Sequence, residues 1–167
     1  MLLKYVDHSS NAISNGVNET VITLKDDKYP VTVKLHYVAY GKENIIRAFS
    51  EISHEEKKPV ILCKYASSML HLNSSKYFLT EFSGDWAHEA NVTERELAFG
   101  KKVIDTKLGA RANMFVSPFF QLALDNPSQE NAGEVLVGTI GWTGNFRFTF
   151  EVDNKNELRI ISGINPY

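Results

Sequence analysis

The chain has 167 residues and a mass of 18.9 kDa, the length of one domain and enough to bury a core without disulfide or metal support. Hydrophobic residues make up 43% and charged residues 23%, an ordinary globular balance that excludes a disordered chain. With 18 Lys+Arg against 20 Asp+Glu, a net charge of -2, there is no concentrated basic surplus, which argues against nucleic acid as the main partner and against a polybasic membrane anchor.

The first residues, Met1-Leu2-Leu3-Lys4-Tyr5-Val6-Asp7, show no basic stretch followed by an apolar one. No signal peptide is therefore visible, and a cytoplasmic location is favoured. No run approaches the ~18 apolar residues of a membrane helix. Val21 to Leu24 predicts a short strand, and Lys25 to Pro30 a turn, its Asp and Pro residues supplying the turn chemistry. From Val31 to Tyr40 the period is two: Val31, Val33, Leu35, Tyr37 and Ala39 alternate with a mostly polar set, the pattern of a half-buried strand. Asn44 to Ile52 and Pro59 to Lys64 are further strand candidates. The lone cysteine, Cys63, lies in the second of these and is expected as a buried small hydrophobe, with no disulfide partner and no zinc spacing.

Strands are also predicted at Lys76 to Phe82, Ala112 to Phe115, Phe119 to Leu124 and Glu134 to Trp142. Trp142-Thr143-Gly144-Asn145 is expected to be a tight hairpin with positive φ at Gly144 or Asn145. It leads into a second alternating strand, in which Phe146, Phe148, Phe150 and Val152 share one face. Asp153 to Glu157 is a polar turn before a last strand at Leu158 to Ile161. No ten-residue window carries a clean helical stripe; Thr93 to Phe99 comes nearest. Many short strands at regular spacing predict an all-β sandwich or barrel.

No segment carries a catalytic signature: there is no G-x-S-x-G, no G-x-G-x-x-G and no local Cys/His pair. The five histidines have no ligand spacing, so neither metal nor cofactor is expected. Asp26, Asp27, Glu55, Glu56, Glu94, Glu96 and Asp153 lie in polar segments, and nothing marks two of them as a poised pair. From Gly84 to Ser117 the alternation weakens and polar, glycine-marked connections are expected. Sugars are met by aromatic platforms flanked by planar polar side chains, and Trp86, Glu89, Arg111 and Trp142 are the candidates for such a surface. The competing reading places both tryptophans in the core or an interface and lets Arg95 and Arg111 pair with carboxylates. Three Asn-x-Ser/Thr tripeptides, at Asn18, Asn73 and Asn91, are taken as chance matches.

The order of motifs is more specific than any one of them. Phe82-Ser83-Gly84-Asp85-Trp86-Ala87-His88-Glu89, Arg95-Glu96-Leu97, Leu108-Gly109-Ala110-Arg111 and Ser117-Pro118-Phe119-Phe120-Gln121-Leu122-Ala123-Leu124 follow one another. Gly133-Glu134-Val135, Thr143-Gly144-Asn145-Phe146, Glu151-Val152-Asp153 and Gly163-Ile164-Asn165-Pro166 complete the series. Together they resemble the N-terminal β-domain of the alpha-galactosidases of glycoside hydrolase family 36, with Leu2 to His8 matching more loosely. The resemblance implies an all-β β-supersandwich, two large antiparallel sheets packed face to face. It implies one domain, residues 1–167, of a larger glycosidase whose catalytic aspartates belong to a (β/α)8 barrel absent from this chain. Its implied partners are that barrel, an alpha-galactoside through the parent enzyme, and further copies in a homo-oligomer. Three positions depart from the family's pattern: Arg111 in place of a small hydroxyl residue, Ser117 in place of asparagine and Trp142 in place of tyrosine. The implied role is non-catalytic, packing on the barrel and supporting oligomerisation. Two alternatives stand beside it: a free-standing carbohydrate-binding module, and an aldose-epimerase-like enzyme, for which no matching His–Glu pair is present.

Overall fold

In the computed structural model, which describes residues 2–166, twelve antiparallel strands and one short 3₁₀ turn account for the regular structure. The chain divides between Cys63 and Lys64 into two compact units. The first contains β1 (Leu3–Ser14), β2 (Val17–Asp26), β3 (Val31–Tyr40) and β4 (Ile45–His54), paired in sequence order as one meander sheet. The turn between β2 and β3 closes as its residues predict: the Asp26 side chain accepts hydrogen bonds from the backbone N–H groups of Lys28 (2.9 Å) and Tyr29 (3.0 Å). Period-two burial holds along β3 only in part. Val33 is buried on one face and Val38 on the other.

The second unit is a sandwich of two four-stranded sheets. One has the order β10 (Glu134–Thr139), β9 (Val116–Leu124), β6 (Tyr77–Asp85), β7 (His88–Glu96). The other has the order β5 (Ser68–Asn73), β12 (Glu157–Ile164), β11 (Phe146–Val152), β8 (Gly100–Asp105). The core lies between them. Tyr77, Leu79, Phe120 and Leu122 from the first sheet meet Ile104, Phe146, Phe148, Phe150, Leu158 and Ile160 from the second. The Phe120 ring stands edge-on to Phe148 (5.1 Å) and Phe150 (4.9 Å), the geometry that aromatic quadrupoles favour. The alternation of Phe146, Phe148, Phe150 and Val152 thus marks an inward face, as the sequence predicts.

Buried polar groups tie the two sheets at one end. The hydroxyl of Tyr77 lies 3.0 Å from the Leu72 carbonyl and 2.9 Å from that of Asn156, and it accepts from the N–H of Ser74. Asn156, at φ 63°, donates to the carbonyls of Ser74 and Ser75. The Asp153 turn closes on its own side chain, which accepts from the N–H groups of Lys155 and Glu157.

The structure corrects several sequence expectations. Pro59 to Lys64 forms no strand, and Cys63 is exposed rather than buried. The apolar run has no pairing partner, so its composition is not matched by a ladder. Ala112 to Phe115 is not a strand either; it continues the 3₁₀ turn Gly109–Arg111. Trp142 to Asn145 is not a hairpin. β10 pairs with β9, while β11 pairs with β12 and β8, so the segment crosses from one sheet to the other. Neither Gly144 nor Asn145 has positive φ. The weakly patterned middle is largely strand, because β6, β7 and β8 run through it.

Candidate functional site

The β6–β7 hairpin turns at Trp86 and Ala87, with Ala87 at φ 56° and the Asp85 carboxylate accepting from the Trp86 N–H (2.7 Å). Trp86 sits at this tip and is 86% exposed. Of the two places the competing reading gave it, core or interface, the core is therefore excluded. Glu89 follows on β7, also exposed. Near the hairpin tip, a register shift between Ser83 and Asp85 leaves Gly84 unpaired with β7. Its N–H instead donates to the Phe115 carbonyl (3.0 Å). A Cβ on Gly84 would lie 3.0 Å from the Glu89 backbone, so any side chain there would push the strands apart by a few tenths of an ångström.

That hydrogen bond couples the hairpin to residues 106–116, which carry Arg111. This segment is fixed from its other side by two buried asparagines. Asn145 accepts from the N–H of Gly109 (2.7 Å), and Asn165 donates to the Thr106 carbonyl (3.0 Å). The Asn165 N–H also bonds the Asn145 carbonyl (3.0 Å), and the Thr106 N–H bonds the Phe146 carbonyl. The Leu108 N–H donates to the Thr106 hydroxyl, and successive turns close from Arg111 to Leu108 and from Met114 to Arg111. Backbone groups of an irregular segment need partners, and here side chains from β11's approach and β12's end supply them. From the sequence, Asn145 is a turn residue and a motif position, and Asn165 a motif position. Their low exposure was not visible from residue type.

The result is an apolar, aromatic surface on the second unit. Trp86, Leu108, Met114, Phe115 and Trp142 are all exposed at this end of the sandwich, Trp142 at 47%; Phe99, also exposed, lies at the other end, beyond Leu97, whose N–H bonds the Tyr77 carbonyl. Trp142 folds back towards its own loop, its indole lying where a Cβ on Gly144 would stand. Phe120, by contrast, is core, and half-buried Phe119 packs against Phe82 (5.1 Å). Arg111 has no ion pair among the described residues. No contact joins Trp86, Glu89, Arg111 and Trp142 into one pocket; what links their segments is the backbone network.

The carboxylates are committed elsewhere. Glu81 lies between Arg95 (2.9 Å) and Lys102 (2.9 Å), so Arg95 takes the ion-pair role rather than a ligand role. Asp105 receives Arg147 at 2.7 Å. Asp125, at φ 65°, accepts three hydrogen bonds on one oxygen, from the Ser74 hydroxyl and from the Ser75 N–H and hydroxyl. These serines hold its carboxyl below the usual carboxylate range. Among the described residues no three His, Cys, Asp or Glu side chains gather as metal ligands would, and no helix is long and apolar enough to cross a membrane.

The second unit thus defines a β-sandwich that presents an exposed aromatic surface, with its inner carboxylate, Glu81, neutralised by two cations. Residues 3–167 match the Glycosyl hydrolase family 36 N-terminal domain, and the chain belongs to that family. It is similar to alpha-galactosidase AgaA of Geobacillus stearothermophilus, 29% identical over 98% of this chain and 21% of that protein. It is also similar to alpha-galactosidase Mel36A of Lactobacillus acidophilus, 24% identical over 99% of this chain and 22% of that protein. The crystal structure of AgaA superposes with a TM-score of 0.80 at 26% identity, covering 98% of this chain and 24% of that one. That of the Lactobacillus brevis alpha-galactosidase gives 0.81 at 24% identity, over 98% and 24%, a likeness of fold. The chain spans about a fifth of the length of the curated relatives it matches.

Proposed function

We propose that residues 1–167 serve as the single non-catalytic N-terminal domain of an alpha-galactosidase, packing on a (β/α)8 barrel that holds the catalytic aspartates. The parent would hydrolyse terminal alpha-galactosyl units with retention, through a covalent glycosyl-enzyme intermediate. The observation that carries this reading is the family match from residue 3 to 167, within relatives called alpha-galactosidases that are several times longer.

The surface formed by Trp86, Leu108, Met114 and Phe115 is the proposed contact with the barrel. Exposed aromatic side chains on a segment clamped by buried hydrogen bonds are pre-organised for a protein interface. Arg111, on the same network, and Trp142, in the segment leading to Asn145, wall part of the substrate cleft in this reading. The domain also supports oligomerisation of the parent. The test is turnover of a chromogenic alpha-galactoside by the full gene product and by residues 1–167 alone. Turnover by the full product and none by the domain is the expected result; turnover by the domain overturns the reading.

The exposure of Trp86 favours a second reading, a carbohydrate-binding module that acts without a barrel. It predicts that galactose or raffinose quenches the tryptophan fluorescence of the isolated domain, and that Trp86→Ala abolishes the response.

A further inference from the structure

The tip of the β1–β2 hairpin holds a dipeptide with chemistry of its own. Ser14 pairs with Val17, so Asn15 and Gly16 make a two-residue turn, with Gly16 at φ 80°, a conformation that costs glycine no Cβ clash. Both residues are exposed. Among the described residues, neither the Gly16 N–H nor the Asn15 side chain has a hydrogen-bond partner. The Gly16 carbonyl is held by the Gly41 N–H (2.9 Å). The Lys42 stem lies along Gly16, its Cε 3.7 Å from where a Cβ would stand.

We propose that Asn15 is a self-modification site, at which the Gly16 nitrogen converts the side-chain amide into an isoaspartyl or aspartyl residue. The Gly16 nitrogen attacks Asn15 Cγ, and an N–Cγ bond forms. The Cγ–Nδ2 bond breaks, and the amide nitrogen leaves as ammonia with the proton given up by the Gly16 N–H. Water then opens the five-membered imide. Opening at the side-chain carbonyl gives aspartate. Opening at the main-chain carbonyl gives isoaspartate, with one more carbon in the backbone. Water is the sole co-reactant, and both reacting groups belong to the tip itself. The Lys42 ammonium beside the turn favours negative charge on the attacking nitrogen and then on the new carboxylate.

Asn15 is set apart from the other asparagines. Of thirteen in the chain, it alone is followed by glycine, whose nitrogen has no neighbouring Cβ to block its approach. At several others the nitrogen that would attack is already engaged. After Asn73, the Ser74 N–H donates to the Tyr77 hydroxyl (2.9 Å). After Asn113, the Met114 N–H donates to the Arg111 carbonyl (3.0 Å). After Asn156, the Glu157 N–H donates to the Asp153 carboxylate (3.0 Å). Asn126 and Asn165 precede proline, which has no N–H. Each conversion adds one negative charge to the chain's -2. The isoaspartyl form also lengthens a turn that fits two residues between Ser14 and Val17, next to the register shift between Ala12 and Ser14. This chemistry goes beyond the supporting role proposed above and does not depend on it.

The test is incubation of the 167-residue chain in mildly alkaline buffer, followed by peptide mapping with tandem mass spectrometry. The peptide holding Asn15 should gain about one dalton, ammonia out and water in, before any other asparagine peptide does. Endoproteinase Asp-N, which cleaves before aspartate but not before isoaspartate, divides the two products. An isoform more acidic than the parent, whose pI is ≈ 6.2, should accumulate. Asn15→Gln should lack that isoform, because its longer side chain cannot close the five-membered ring; circular dichroism checks that this variant is folded. The conversion rate of the folded chain should lie within about tenfold of the rate in urea, since the turn leaves both groups free. An unchanged Asn15 peptide overturns the proposal. So does another asparagine converting first, an acidic isoform that forms equally in Asn15→Gln, or a larger protection in the folded chain.

Discussion

Phe120 is packed edge-on between two phenylalanines, and its ring also fixes the residue opposite it. A Cβ on Gly138 would lie 2.2 Å from Phe120 Cζ. The ring has nowhere to retreat, because Phe148 and Phe150 hold its other side. Gly138→Ala is thus an overpacking change and should cost about 1–3 kcal/mol, read as a lower urea midpoint with an unchanged slope. Asp125 makes a different prediction. Its carboxyl is held below the ordinary value of about 3.9 by Ser74 and Ser75. A depressed carboxyl stabilises the fold above its unfolded value and loses that contribution as pH falls through its folded value. Asp125→Asn should lower Tm at neutral pH, and the difference from the wild type should shrink below about pH 3.9. Asparagine tolerates the positive φ of this position, so the comparison isolates the charge. An equal Tm difference at pH 7 and in acid contradicts the assignment.

Whole elements show what sequence can and cannot carry. β11 is legible because alternate phenylalanines have one cause, an inward face of a sheet. β7 is not, because Glu89, Glu94, Arg95 and Glu96 lie on an exposed edge strand where no burial imposes a pattern. The run Pro59 to Lys64 misleads in the opposite sense: it is apolar, yet Ile61 is 86% exposed and the segment pairs with nothing. The Trp142–Asn145 connection fails for a third reason. Spacing tells where two strands are joined, not which sheet each enters. The candidate surface was legible as residue types but not as an assembly, since Asn145, Asn165 and Gly84 position it through backbone hydrogen bonds.

Two variants separate support from contact in this surface. Asn145→Ala leaves the Gly109 N–H without its acceptor and should cost about 1–3 kcal/mol, loosening residues 106–116. Proteolysis within that segment, or faster amide exchange there, is the readout. Trp86→Ala removes an exposed side chain and should leave the Tm of the isolated chain within about 2 °C, since surface changes fall within about 0.5 kcal/mol. In the full gene product the same change should lower thermal stability if Trp86 contacts the barrel. Equal stability of both full-length proteins contradicts that contact.

At the scale of the molecule, the fold class and the family were both readable before any coordinates, because motif order survives where single motifs are weak. The division into a meander sheet and a two-sheet sandwich was not, since composition does not change at Cys63. The role proposed for this chain, a supporting domain of a larger alpha-galactosidase, is testable on the whole protein. The most direct measurement is kcat/KM on a chromogenic alpha-galactoside for the full gene product, with and without residues 1–167. An active full-length enzyme is expected and, on deletion, loss of folded, active protein. A deletion variant that folds and retains full kcat/KM contradicts it.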